Sequence, residues 1–115
     1  MDFSGYADCD DTTGTHFYME AEFSGGQKLL GDYVVDMIVY PEVSIDLDEQ
    51  GKVYISFVVE KDGSLSEIEV KRGVSMELDK EAKRIIQLMP KWIPGYCNEE
   101  KVRVRCTLPI AFTLN

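Results

Sequence analysis

From Val102 to Leu114 every even-numbered residue is apolar: Val102, Val104, Cys106, Leu108, Ile110, Phe112 and Leu114. The odd positions open with Lys101, Arg103, Arg105 and Thr107. An extended chain sends alternate side chains to opposite faces, so this segment reads as a strand with one buried and one wet face. Pro109 lies inside it. A proline gives no N–H to a ladder, and a sheet accommodates it where the missing donor points away from the neighbouring strand. Residues 101–114 are therefore expected at a sheet edge.

A hairpin supplies the neighbour. Val53, Ile55, Phe57 and Val59 alternate with Tyr54, Ser56 and Val58, and Lys61-Asp62-Gly63-Ser64 reads as a turn. Beyond it Ile68 and Val70 face one way while Glu67, Glu69 and Lys71 face the other. Ser75 then opens a helix over 76–89, with Leu78, Ala82, Ile85 and Met89 on one side and Lys80, Glu81, Lys83, Arg84 and Gln87 on its other faces. The second hairpin strand, this helix and the last strand make a crossover unit. The predicted sheet order is 65–72, 53–60, 101–114, with the last strand antiparallel to the first hairpin strand.

Upstream, Leu30, Tyr33, Val34, Met37 and Ile38 recur at helical spacing over 26–39, with Ser24 available as a cap. After Pro41 a short second helix is weakly indicated, because Val43, Ile45 and two aspartates are poorer helix formers. Phe17, Met19, Ala21 and Phe23 alternate with polar neighbours and predict a short extended arm. Residues 1–15, rich in Asp, Gly, Ser and Thr, read as a flexible acidic leader or linker remnant, leaving 16–115 as the domain. The expected fold class is α+β. It has two layers, a three-stranded antiparallel sheet with two main helices on the Val53/Ile55/Phe57 face.

The segment joining the second helix to the last strand is Met89-Pro90-Lys91-Trp92-Ile93-Pro94-Gly95. Pro90 stops the helix, and Pro94-Gly95 turns the chain out again. Trp92, the single tryptophan, is left to fold back as an apolar cover. Trp92, Pro94 and Gly95 are accordingly read as structural residues.

Composition narrows the function classes. The chain has 115 residues and a net charge of −9, enough for one modest core. Eight acids and one lysine fall in residues 1–36, against thirteen acids and eleven bases in 37–115. Such acidity disfavours nucleic acid as a partner, since phosphate would be repelled. The three cysteines, Cys9, Cys97 and Cys106, and the single His16 have no metal-ligand spacing. An odd cysteine count leaves at least one thiol unpaired in a single chain, and the sequence does not choose a pair. No apolar run is long enough for a membrane span.

No nucleophile–base pair or phosphate loop is present. Asp46, Asp48 and Glu49 read as a solvated turn and not a cation site, and Glu67 and Glu69 share a face through strand alternation alone. Trp92 and Tyr96 are the first place to look for a stacked ligand. Lys101, Arg103 and Arg105 form a basic stripe, either a guard against edge aggregation or a docking surface for an acidic peptide.

Tyr40-Pro41, Gly51, the turn at Asp62-Gly63, Trp92, Pro94-Gly95 and Leu108-Pro109-Ile110 together resemble the C-terminal domain of TonB-type energy transducers, over roughly residues 20–114. Ser24 stands where the family often has proline, and the stretch 42–50 and the acidic leader also depart from its pattern. The resemblance implies a periplasmic, non-enzymatic module without cofactor or metal. Such a module grips the N-terminal peptide of an outer-membrane receptor by strand addition. On this chain that implies a site at Val102, Arg103, Val104, Arg105, Cys106 and Thr107, with Tyr40 and Pro41 as a second locus. It also implies a link to an inner-membrane proton-driven motor complex through an N-terminal membrane helix and Pro-rich spacer. Neither is seen here, so the chain is expected to be a truncated piece of such a protein, the alternative being a stand-alone relative whose export signal is not shown. Related domains occur in membrane-bound sensor peptidases and small exported proteins. A periplasmic sensing or accessory ligand-binding domain, or an edge-strand module pairing two copies as a homodimer, are the alternative readings.

Overall fold

The computed structural model describes residues 6–7 and 18–114, with Tyr6, Ala7 and Tyr18 described through their backbone alone. The remainder of the leader expected over 1–15 lies outside the described residues, as does Phe17 of the extended arm. In chain order the elements are β1 (Tyr6–Ala7), β2 (Tyr18–Met19), α1 (Gly26–Met37), α2 (Glu42–Asp46), β3 (Gly51–Val59), β4 (Leu65–Arg72), α3 (Met76–Gln87), β5 (Gly95–Cys97), β6 (Glu100–Val102) and β7 (Val104–Phe112). The main sheet has the order β1-β7-β3-β4. Its β4-β3-β7 portion is the antiparallel sheet expected from the sequence, with β3 paired along its whole length from Gly51↔Phe112 to Val59↔Val104.

The reason is visible in one shared row of apolar side chains. Val53, Ile55, Phe57 and Val59 of β3 and Val104, Cys106, Leu108, Ile110 and Phe112 of β7 are all buried in a single cluster with Leu78, Ala82, Ile85 and Ile86 of α3 and Leu30 of α1. α3 begins where Ser75 accepts a hydrogen bond from the Leu78 N–H at 3.2 Å. Three local readings need correction. The last strand is broken at Arg103 into β6 and β7, because Val102 pairs with Gly95 of β5 and not with β3. Ser24 is not the cap of α1; Gly25, at φ 99°, holds that position without a side-chain bond, since its left-handed backbone admits glycine readily. Glu81, placed on an outer face by helical spacing, is buried.

β5 and β6 form a hairpin that the sequence reading missed, completed by β2 into a second, three-stranded sheet. Asn98 and Glu99 both have positive φ, as a two-residue turn of the favoured hairpin type requires. The available signal was Asn98, one of the few non-glycine residues that enter the left-handed region readily. Gly95 is needed for packing: a Cβ there would approach Val104 Cγ2 to 2.5 Å.

Trp92 is 3% exposed and meets Phe57 and Phe23 edge-on, with ring centroids 5.2 and 5.9 Å away. Its backbone N–H donates to the Gly63 carbonyl at 2.8 Å. At Gly63, where φ is 88°, an added Cβ would lie 2.2 Å from the Trp92 carbonyl oxygen. The proline-bounded segment therefore docks on the hairpin turn as well as on the core. Trp92→Ala should cost about 3–5 kcal/mol, measured by urea unfolding. Gly63→Ala should also destabilise, by strain at positive φ and by the clash.

Glu81 ties the two helices together. It accepts the Val39 N–H at 2.7 Å and pairs with Nε and Nη2 of Arg84, and the same Nη2 also donates to the Met37 carbonyl at 2.9 Å. The end of α1, which has no basic residue in its last turn, is thus held by α3. Burial pushes the Glu81 carboxyl upward, but the bonds from Arg84 and Val39 and the Arg84 charge outweigh it and leave it below the ordinary 4.5. A carboxyl depressed on folding stabilises fully above that ordinary value and loses its contribution as pH falls through the folded one. Glu81→Gln should cost about 1.5–3 kcal/mol at pH 7, the range for hydrogen bonds to a charged group. In equilibrium unfolding that difference should shrink as the pH falls below 4.5.

Candidate functional site

The outer side of β7 is the edge to which the site residues point. In an antiparallel ladder one residue turns both its N–H and C=O to one neighbour, and the next residue turns them to the other. Pro109, opposite Tyr54 in an unbroken register, fits with its missing donor outward. The odd residues 105, 107 and 111 share its phase and carry the outward amides. The even residues spend theirs on β3.

This phase sorts the candidate residues. Val104 and Cys106 are each 1% exposed, so their side chains belong to the core and cannot meet a partner. Burial, with a smaller contribution from Glu20, pushes the Cys106 thiol up to about 12, which keeps it protonated and unreactive. Val102 is in the other sheet, and Arg103 falls in the break between β6 and β7. The usable edge is shorter than 101–108; it begins at Val104. Thr107 and Arg105 are the residues that both lie on it and turn outward.

Arg103 and Arg105 do not form a free basic stripe. Arg103 donates to Glu60 at 2.7 and 3.2 Å and to Glu67 at 2.7 Å. Arg105 reaches Glu67 at 3.0 Å and the Ser56 hydroxyl at 3.2 Å. Glu60 also accepts from the Ser66 hydroxyl. Bonds from Arg103 first, then Ser66, hold the Glu60 carboxyl below its usual range, and bonds from Arg103 and Arg105 do the same for Glu67. The bond to Glu60, then that to Glu67, raises the Arg103 guanidinium further above its usual range.

Glu67 owes its position to a bulge. Between the pairs Ser56↔Glu69 and Val58↔Ser66, Phe57 alone on β3 faces Glu67 and Ile68 on β4. Glu67 takes φ 48°, left-handed geometry unusual outside glycine. The bulge re-aims its side chain across the wet face of β3 toward β7. Two-residue alternation carries no trace of such an insertion, so the sequence reading missed this arrangement.

Tyr40 and Pro41 are elsewhere. The Tyr40 ring meets Phe112 edge-on at 5.7 Å and its hydroxyl donates to the Glu49 carbonyl, while Pro41 caps α2. Phe112 lies eight steps along the strand from Val104, roughly 26 Å. The two loci are not brought together. Tyr96 lines a cleft of about 500 Å³ with Met19, Phe23, Ile93 and Pro94; Trp92 is buried behind it. Among the described residues, no group of three His, Cys, Asp or Glu could hold a metal ion, and no helix is long and apolar enough to cross a membrane.

Residues 37–114 match the family described as the Gram-negative bacterial TonB protein C-terminal domain. The chain belongs to that family. Two solution structures of the Helicobacter pylori TonB C-terminal domain share its fold. One, of residues 179–285 of that protein, is 26% identical with a TM-score of 0.57, covering 75% of this chain and 78% of that one. The other, of residues 194–285, is 25% identical with a TM-score of 0.54, covering 76% and 95%. No curated protein matches the chain. Membership makes this a TonB-type domain of the energy-transduction class, a family of interaction modules of the Gram-negative periplasm.

Glu60 and Glu67 provide a test of the wet face of this TonB domain. Carbon-detected titration should give both carboxyls midpoints below 4.5, their ordinary value. Arg103→Gln should move the Glu60 midpoint back upward, because its largest lowering influence is removed.

Proposed function

We propose that this domain is the receptor-engaging end of an energy transducer, taking the N-terminal peptide of an outer-membrane receptor as an added strand on the outer edge of β7. The carrying observation is a family member whose last strand turns one row of backbone groups outward between Val104 and Pro109, paired there with β1 only at Val104 and Arg105. Strand addition draws its affinity from main-chain bonds, so it tolerates varied peptide sequences. At roughly 0.5–1.5 kcal/mol per net hydrogen bond, a short added strand gives a weak and reversible grip. In this reading the domain works in the periplasm as a mechanical coupler without chemistry of its own. Sequence outside this chain anchors it to the inner membrane and to a proton-driven motor complex.

The ion-paired state of Arg103 and Arg105 changes what the basic residues contribute. Their charge is largely spent on Glu60 and Glu67, so the backbone edge and not a cationic stripe carries the reading. A second reading has its own observation: the cleft beside Tyr96 is concave and largely apolar, as a small-ligand site requires.

The phase of Pro109 identifies the informative variant. Thr107→Pro removes an outward donor while leaving the β3 ladder intact, so it should fold. Titrated by NMR with a peptide from a receptor N-terminus, it should bind about tenfold more weakly than the unaltered domain. Val104→Pro, by contrast, removes a donor facing Val59 and should unfold the domain. Peptide shifts at residues 104–108 of the unaltered domain are the expected result. Shifts confined to Tyr96 and Ile93, or self-association through the edge with no peptide bound at millimolar concentration, would replace this reading by ligand sensing or dimerisation.

A further inference from the structure

The edge proposed for the receptor peptide already has an occupant. Tyr6 pairs with Arg105 and Ala7 with Val104, antiparallel, making β1 the outermost strand of the main sheet. Arg105 is an outward residue, so Tyr6 is the residue whose N–H and C=O face β7. Ala7 pairs at Val104, the first residue of β7, two residues from the end of β6, whose partner is β5. β5 ends in Cys97, which is disulfide-bonded, whereas Cys106 is free. The sequence holds one further cysteine, Cys9, two residues past Ala7.

We propose that the N-terminal segment of this chain is a built-in competitor for the docking edge, paired through Tyr6–Ala7 and tethered by a Cys9–Cys97 disulfide, so that an incoming strand must displace it. The competition rests on the strand-addition reading above; the occupancy does not. Two paired residues alone make too few bonds to hold a strand in water. A cross-link adjacent to them turns the pairing into an intramolecular event at high effective concentration. A two-stranded contact that is weak by itself then becomes enough to mask the edge while remaining displaceable. The apparent affinity for an external strand falls by the fraction of molecules whose edge is free.

The test uses the whole chain in three forms: unaltered, Tyr6→Pro, and Tyr6→Pro with Cys9→Ser. The proline removes the donor facing Arg105, and the serine removes the tether. Peptide mapping of the unreduced, unaltered protein should recover residues 9 and 97 in one cross-linked fragment. Amide exchange at Arg105 should be slow in the unaltered chain and at least tenfold faster in the double variant. A synthetic peptide copying residues 3–10, with serine at position 9, should bind the double variant at least tenfold more tightly than the unaltered chain. A receptor N-terminal peptide should show the same gain. Equal Arg105 exchange in all three forms, or no 9–97 cross-link, overturns the occupancy. Equal affinity for the copied peptide overturns the competition. If exchange and the copied peptide behave as expected while the receptor peptide binds no form, the built-in strand stands and the receptor reading falls.

Discussion

The structure depends on β3 being paired along both of its sides. With β4 on one side and nine consecutive partners of β7 on the other, β3 can neither slip nor rotate. A shift of one residue would send Val53, Ile55, Phe57 and Val59 to the opposite face and undo the core. Everything else follows from this. The helices have one apolar face to cover, β7 has one side left over, and the phase of that side is set by β3 and not by any partner.

The wet face of the sheet is held by charge in place of apolar packing. Ser56 and Val58 are buried there, Arg105 donates to the Ser56 hydroxyl, and Glu60, Glu67 and Arg103 join the same network. An exposed ion pair alone contributes little, but a network shares the cost of ordering long side chains. Its structural effect is to join β4 to the far end of β7 across β3. It also engages two arginines that would otherwise present free charge beside the edge.

In the proposed reading, a strand edge is both the tool and the hazard of this domain. The same unpaired groups that accept a partner peptide accept another copy of the domain. This domain limits the hazard in two visible ways. Pro109 removes a donor from the outward row, and β1 covers the outward groups at Arg105. The run left between them is short, as the weak and reversible grip proposed above requires.

Much of the fold was legible in the sequence because the relevant signals are local. Alternation in 53–59 and 102–112, helical spacing in 76–87 and the Asp62-Gly63 turn each depend on neighbours a few residues away, and together they specify the order of β4, β3 and β7. Pro109 even gave the phase of the edge. What only the tertiary structure decided depends on residues far apart in the chain. Val102 left the last strand because Gly95 offered it a partner, Glu67 met two arginines 36 and 38 positions away through a bulge, and Glu81 turned inward to hold the end of α1. Local periodicity reports which face a residue occupies. It cannot report which distant hydrogen bonds and charges will claim that residue, and those contacts decided the shape of the site.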